Sequence, residues 1–109
     1  MQFLLIARDR RLGDSAQKRA NARDEHMRLL HELKNDGYIH DAGALLSDEG
    51  EMIGSMIVAN FPDRTALEAY LSREPFKRDG VWGEVEVMPF RSVNWMNKPS
   101  LNAVYDVDS

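Results

Sequence analysis

His26 is the most informative residue of this 109-residue chain, because its side chain can do chemistry and its position in the sequence is unusual for it. It lies in residues 22–33, where apolar side chains recur at helical spacing. At about 100° per residue, one helix face carries Ala22, His26, Leu29, Leu30 and Leu33. Imidazole changes its charge readily near neutral pH. Because an apolar stripe needs no such group, His26 either does chemistry or makes a buried hydrogen bond, for example to a backbone carbonyl.

Five further residues have a chemical reading beside a structural one. Arg23 lies one helical turn before His26. Its guanidinium can hold an anionic substrate group through two parallel hydrogen bonds, or it can form an ion pair with a nearby carboxylate. Ser47 and Ser55 flank a predicted turn and are more typical of turns and strand edges than of nucleophiles. His31 and His40 lack the spacing of metal ligands, so we predict no metal site.

Composition excludes several classes of function. The chain has 14 Lys and Arg against 18 Asp and Glu, a net charge of -4, which argues against nucleic acid as a partner. With no cysteine, disulfides and thiolate catalysis are excluded. No apolar run approaches the roughly 18 residues of a membrane span, and no phosphate-binding or dinucleotide loop is present. We therefore expect a cytoplasmic protein without a cofactor and without a membrane partner.

The elements that position His26 follow from the pattern of apolar residues and turn signals. Strands are predicted near residues 3–7, 38–46, 52–61 and 84–88, and helices over 15–36, with Ser15 as the N-cap, and 62–74. The order is strand, helix, strand, strand, helix, strand. That order predicts an α+β, ferredoxin-like βαββαβ fold, in which two helices cover one face of a four-stranded antiparallel sheet.

The sheet's other face predicts an interface between two copies of the chain. Successive side chains of a strand alternate between faces, so Val85, Val87 and the apolar residues of the third strand cannot all face the helices. A second copy packed sheet against sheet covers such a surface in a chain this short. Residues 95–109 lie beyond the domain of residues 1–94 as a C-terminal extension, which either docks on the partner or is partly disordered.

Several short segments, in their order and spacing, make the chain resemble the YCII-related proteins over roughly residues 1–93. They are Arg23 with His26, Gly37, Ala42-Gly43, Gly54-Ser55, Glu74-Pro75-Phe76, Gly80-Val81-Trp82 and Pro89-Phe90. The resemblance implies a ferredoxin-like homodimer of the dimeric α+β barrel type, with a pocket between helices and sheet. It also implies cofactor-free acid–base chemistry on small, often aromatic or cyclic, metabolites, including elimination of chloride from a chlorinated hydroquinone.

The resemblance further implies a catalytic pair. The family's histidine on the first helix matches His26, while the aspartate expected ahead of Pro-Phe is Glu74 here. One added methylene moves a carboxylate by roughly an ångström, and a shift of that size can cost on the order of a hundredfold in rate. We predict His26 as general acid–base, Glu74 as its orienting carboxylate, and Arg23, Ser47 and Phe76 as substrate contacts. The alternative is a non-catalytic, dimeric module that binds or senses a small molecule.

Overall fold

The computed structural model describes residues 1–94, and its elements follow the predicted order with one short extra helix. The strands are β1 (Gln2–Asp9), β2 (Ile39–Leu46), β3 (Met52–Asn60) and β4 (Trp82–Pro89). The helices are α1 (Ser15–Asn35), α2 (Arg64–Arg73) and α3 (Pro75–Arg78). The predicted extension, residues 95–109, lies outside the described residues.

One antiparallel sheet holds all four strands in the order β2-β3-β1-β4. The first strand is central because its apolar run is suited to pairing on both edges. This order and the helices between the strands confirm the predicted ferredoxin-like α+β fold. None of the helices formed within residues 1–94 has the length and apolar character needed to cross a membrane.

The ends of the helices depend on local polar contacts. Ser15 is not the N-cap of α1 as predicted: Asp14 holds that position without a side-chain cap, and Ser15 instead accepts from the Leu12 N–H at 2.8 Å. At the other end, Gly37 adopts φ 84°, a conformation that suits glycine just after a helix. Asp63 caps α2 by accepting from the Ala66 N–H at 2.9 Å.

The two faces of the sheet differ in what covers them. Phe3, Leu5 and Ala7 alternate along β1 and are buried beneath the helices. Val85 pairs with Ala7 and Val87 with Leu5, so both valines lie on the helix-covered face. By strand register, the opposite face carries Leu4, Ile6, Met56, Val58 and Met88, so the third strand contributes to it as expected and the two valines of β4 do not.

Candidate active site

His26 lies on the buried face of α1 and is only 5% exposed. Its ring stacks on the Phe76 ring with centroids 3.8 Å apart and planes within 12°. Trp82 approaches both rings edge-on, with its centroid 6.1 Å from that of His26. The aromatic contacts fix the plane of the imidazole, since a ring held between rings has little freedom to turn.

Glu74 separates α2 from α3 and is fully buried. Pro75 stops α2 and occupies the first position of α3, where its missing N–H costs nothing. The Glu74 side chain caps α3, because its Oε1 accepts from the Phe76 N–H at 3.1 Å. Oε1 also contacts His26 Nδ1, and Oε2 accepts from the Tyr70 hydroxyl at 2.8 Å. The carboxylate is therefore placed by the backbone turn that it stabilises.

The contact with Glu74 decides which nitrogen of His26 is available. An ionised carboxylate only accepts hydrogen bonds, so beside an ionised Glu74 the Nδ1 atom is the donor and a neutral ring keeps its lone pair on Nε2. Nε2 has no hydrogen-bond partner among residues 1–94, and no buried side-chain nitrogen or oxygen in that range lacks a partner. Nε2 is therefore open to the cavity that His26 lines.

The buried Tyr70 hydroxyl holds its proton more tightly than an exposed tyrosine does. Burial first, then the Glu74 charge and the hydrogen bond to it, raise the pKa of Tyr70 far above its ordinary value of 10.0. A tyrosine that stays protonated is a permanent donor to Glu74. Tyr70 thus helps to hold the carboxylate in the orientation that faces His26.

A cavity of about 200 Å³ opens beside the imidazole, between α1, α3 and the sheet. Its walls are mostly apolar. They are formed by Arg19, Arg23, His26, Met27, Leu30, Ala42, Gly43, Ala44, Met52, Ser55, Met56, Ile57 and Phe76. An engineered cavity of roughly 150 Å³ takes up benzene, so this space is large enough for one six-membered ring against Nε2.

Arg19 and Ser55 add polar groups to the cavity that the sequence did not single out as functional. Arg19 forms a two-point ion pair with Asp9, at 2.8 and 3.2 Å, and its guanidinium lies 4.7 Å from the Phe76 centroid. Ser55 is buried, and its oxygen accepts from Trp82 Nε1 at 3.2 Å and from Arg19 at 3.4 Å. With both lone pairs engaged, the Ser55 O–H is left to donate to another group.

The signals for both residues were present in the sequence. Arg19 precedes Arg23 by four residues and His26 by seven, the spacing of one helix face. Ser55 shares its strand parity with Ile57, so it must face the helices if Ile57 does. Tyr70 precedes Glu74 by four residues, the spacing of one helical turn. Because it recurs with the apolar residues of the second helix, the pattern predicts a buried ring and says nothing of the hydroxyl.

The predicted substrate contacts lie in three different places. Phe76 forms part of the cavity wall, and Arg23 is exposed where the cavity opens. Arg23 forms no ion pair with Asp24, Glu74 or any other carboxylate of the described chain. Ser47 does not line the cavity: it lies in the β2–β3 turn, where its oxygen accepts from the Glu51 N–H at 3.1 Å. The structure brings His26, Glu74, Phe76 and Arg23 together and leaves Ser47 apart.

The model of the YCII-related domain matches residues 1–91. The chain belongs to the YCII-related family. A relative named Protein YciI, from Escherichia coli O6:H1, is 30% identical over 99 residues, which cover 85% of this chain and 99% of the relative. An uncharacterized protein of Haemophilus influenzae is 26% identical over the same shares of the two chains.

A solved structure with a similar fold is a 5-chloro-2-hydroxyhydroquinone dehydrochlorinase, TftG, from Burkholderia phenoliruptrix, in complex with 2,5-dihydroxybenzoquinone. The TM-score is 0.73, with 84% of this chain and 94% of that chain covered. At 24% sequence identity, this likeness is one of fold.

Proposed function

We propose that this protein is a small cofactor-independent lyase or isomerase that performs acid–base chemistry on a cyclic or aromatic metabolite. One observation carries the proposal: His26 Nδ1 contacts the buried Glu74 while Nε2 opens into a cavity of about 200 Å³. A carboxylate on one ring nitrogen orients the imidazole and stabilises the imidazolium, which makes the other nitrogen an effective proton acceptor and donor.

The proposed reaction needs neither an oxidant nor a reductant. Nε2 of His26 takes a proton from a hydroxyl or from a carbon next to a carbonyl. The electron pair left behind either moves the double bond or expels a leaving group as an anion. The imidazolium then returns its proton to the rearranged product or to water, so the net change is isomerisation or loss of an acid. Glu74 orients the ring, Arg23 holds an anionic group of the substrate, and Phe76 packs against its ring.

Glu74 in place of the family's aspartate is compatible with this role. The longer side chain starts from the turn between α2 and α3 and still contacts His26 Nδ1. Its second oxygen is held by Tyr70 at 2.8 Å, which limits the extra freedom that the added methylene brings. These contacts support Glu74 as a working partner of the histidine.

The fold of TftG suggests a first substrate to test. Release of chloride from 5-chloro-2-hydroxyhydroquinone is measured with a chloride electrode, beside a panel of phenols and cyclic ketones in D₂O. Deuterium incorporation, followed by NMR, reports proton transfer even where no net reaction occurs. We expect His26→Gln to slow the exchange by about 10²–10⁴-fold, the usual contribution of a general acid–base.

The matched control is His31→Gln on the same helix, because His31 is exposed and does not line the cavity. It should leave the exchange rate unchanged. Glu74→Gln, which keeps the side-chain volume, should slow exchange as well, with circular dichroism to confirm that the variant is folded. Exchange that proceeds equally in His26→Gln and in the wild type would rule out the proposed mechanism.

A non-catalytic binding or regulatory module is the second candidate, and the contacts of Glu74 favour it. The carboxylate already caps α3 and accepts from Tyr70, so its burial is explained without chemistry. A binding module predicts thermal stabilisation by a ligand such as 2,5-dihydroxybenzoquinone, and that stabilisation should survive Glu74→Gln. Stabilisation without any exchange or turnover would favour this candidate over the enzyme.

We propose that the protein acts as a cytoplasmic homodimer built from its residue 1–94 domains. The face of the sheet that the described helices leave open supports this assembly, since the half-buried Leu4, Ile6 and Met88 form an apolar patch there and Glu86 lies beside Ile6. Light scattering at micromolar concentration should give twice the subunit mass of 12.5 kDa. Ile6→Lys should shift the mass to that of one subunit while the His26–Glu74 contact stays intact.

A further inference from the structure

A second, larger cavity adjoins the one beside His26 and has a different character. Its volume is about 710 Å³, and it lies between the β1–α1 loop, the first half of α1 and the start of β3. Its lining residues are Asp9, Arg10, Arg11, Leu12, Gly13, Ser15, Ala16, Arg19, Ala20, Arg23, Glu51, Met52 and Ile53. We refer to this surface as the arginine groove.

The arginine groove is basic although the chain as a whole has a net charge of -4. Arg19 is neutralised by its two-point contact with Asp9. Arg10, Arg11 and Arg23 form no ion pair with any residue of the 1–94 range, and Glu51 is the remaining carboxylate of the lining. Three arginines that line one concave surface and pair with no carboxylate of residues 1–94 give it a local positive potential that attracts anions.

The arginine groove and the cavity at His26 are neighbouring spaces with a shared wall. Arg19, Arg23 and Met52 line both. The shared wall is polar on its helix side, because Arg19 reaches across to the Gly54 carbonyl at 3.1 Å. A molecule that spans the two would place one end against Nε2 of His26 and the other among the arginines.

We propose that the arginine groove binds the oxyanion group of the ligand, a phosphate or a carboxylate, while the ligand's ring occupies the cavity at His26. The guanidinium fork matches the oxygens of either anion through paired hydrogen bonds. The placement of the ring rests on the proposed function, whereas the anion site stands on the groove alone. The substrate class is thereby narrowed to ring compounds that carry an acidic side group.

The test uses three probes on the full-length protein: inorganic phosphate, acetate and phenyl phosphate. Binding is followed by ¹H–¹⁵N NMR at constant ionic strength. Phosphate should shift the amide signals of residues 10–16 and 51–53. Acetate, which carries one negative charge, should shift the same signals more weakly. Phenyl phosphate should shift the same signals together with the His26 ring, and should bind more tightly than phosphate.

The variant that removes the site is Arg10→Gln combined with Arg11→Gln. Both side chains are exposed, so the double variant should fold normally. Its Kd for phosphate should rise at least about tenfold, since hydrogen bonds to charged groups are among the stronger ones. The matched control is Arg73→Gln, because Arg73 is an exposed arginine that does not line the groove. This control should bind phosphate as the wild type does.

The outcomes separate this inference from the proposed function. Phosphate shifts that are absent from the groove, or that persist unchanged in the double variant, would overturn the anion site. Phenyl phosphate that shifts groove signals but leaves the His26 ring untouched would overturn the continuity with the active site. His26→Gln should still bind phosphate, so loss of catalysis in that variant leaves the anion site standing, and failure of the anion site leaves the proton-exchange result standing.

Discussion

Two adjacent residues of α1, Glu25 and His26, contact opposite ends of the four-residue helix α3. One of these contacts is exposed to solvent and the other is buried. His26 meets Glu74 at the start of α3, and both are buried. Glu25 meets Arg78 at the end of α3, at 2.5 and 3.1 Å, with side chains 53% and 46% exposed. In sequence, these are two similar pairs of ionisable residues that link α1 to the two ends of α3.

Burial makes the two pairs physically different. At the exposed end, water screens the attraction, and the side chains lose freedom to hold one geometry. At the buried end, removing one partner takes a hydrogen bond from the other in a medium where water cannot replace it. A buried pair therefore adds little to the free energy of unfolding when it is intact and costs much when one partner is removed.

Glu74→Ala should be the most damaging single change. It leaves His26 Nδ1, the Tyr70 hydroxyl and the Phe76 N–H without their acceptor. Breaking a buried pair costs about 3–5 kcal/mol, a large share of the about 5–15 kcal/mol that stabilises a typical domain. Urea denaturation measures the loss. Glu68→Ala, at an exposed site on α2, should change the free energy of unfolding by no more than about 0.5 kcal/mol.

Tyr70→Phe tests one of those three hydrogen bonds. The change keeps the ring and leaves Oε2 of Glu74 buried without its donor at 2.8 Å. We expect a loss of about 1–3 kcal/mol in the free energy of unfolding, the cost of an unsatisfied buried group. Tyr38→Phe is the control, since Tyr38 is 41% exposed. Equal losses in the two variants would contradict the special role given to the buried hydroxyl.

The pH dependence of stability should report on Tyr70 without a mutation. Burial raises the pKa of Tyr70 above its ordinary value of 10.0, so the folded protein keeps a proton that the unfolded chain releases. Unfolding then releases a proton, and base favours it. This contribution to stability is complete below pH 10.0 and decreases as the pH rises above it. Denaturation midpoints between pH 8 and 11 measure the slope, and Tyr70→Phe should show a shallower one.

Ser55→Ala should have an intermediate effect. Trp82 Nε1 loses its acceptor at 3.2 Å, while Arg19 keeps Asp9 and the Gly54 carbonyl. We expect a cost toward the lower end of about 1–3 kcal/mol, because the buried Trp82 N–H is left without an acceptor. A second measurement tests the free O–H: a ligand with an oxygen acceptor should bind more weakly to the variant, and an unchanged Kd would remove Ser55 from the ligand site.

Arg78→Gln should have the smallest effect, near the limit of detection, and 0.5 M NaCl should abolish it. The hydrogen bond from Arg78 is the main cause that lowers the pKa of Glu25 and of Asp79 below their ordinary values of 4.5 and 3.8. Both carboxylates therefore bind protons less readily when folded. Their contribution to stability is present above those values and is lost as the pH falls through the lowered ones. A strong pH dependence above pH 5 that vanishes in Arg78→Gln would contradict the comparison.

The sequence predicted the fold well because its periodicity reports which faces are buried. The apolar run of β1, the stripe around His26 and the proline at 75 fixed the order of elements and the end of α2. It also placed His26 on the buried face. The bond between residues 26 and 74, whose catalytic role stays a prediction, required the family resemblance, since periodicity contains no information on which distant side chains meet.

The polar groups around the cavity were not predicted, for a related reason. Arg19 and Ser55 belong to residue types that are usually solvated, and their partners Asp9 and Trp82 are 10 and 27 positions away in sequence. Only the register of the sheet brings them together. The turn hydrogen bond that holds Ser47 away from the cavity likewise depends on backbone geometry. Composition and residue spacing do not predict that geometry.

The triple use of the Glu74 carboxylate has a consequence for how this protein can diverge. A replacement at that position has to accept hydrogen bonds from the first turn of α3, from a phenol and from an imidazole. Most substitutions there therefore destabilise the fold, whatever they do to function. The apolar part of the cavity wall is formed by Met27, Leu30, Ala42 and Ala44. These side chains make no hydrogen bonds that a substitution would break. The shape of that wall can therefore change without disturbing the hydrogen bonds between Glu74 and its three partners.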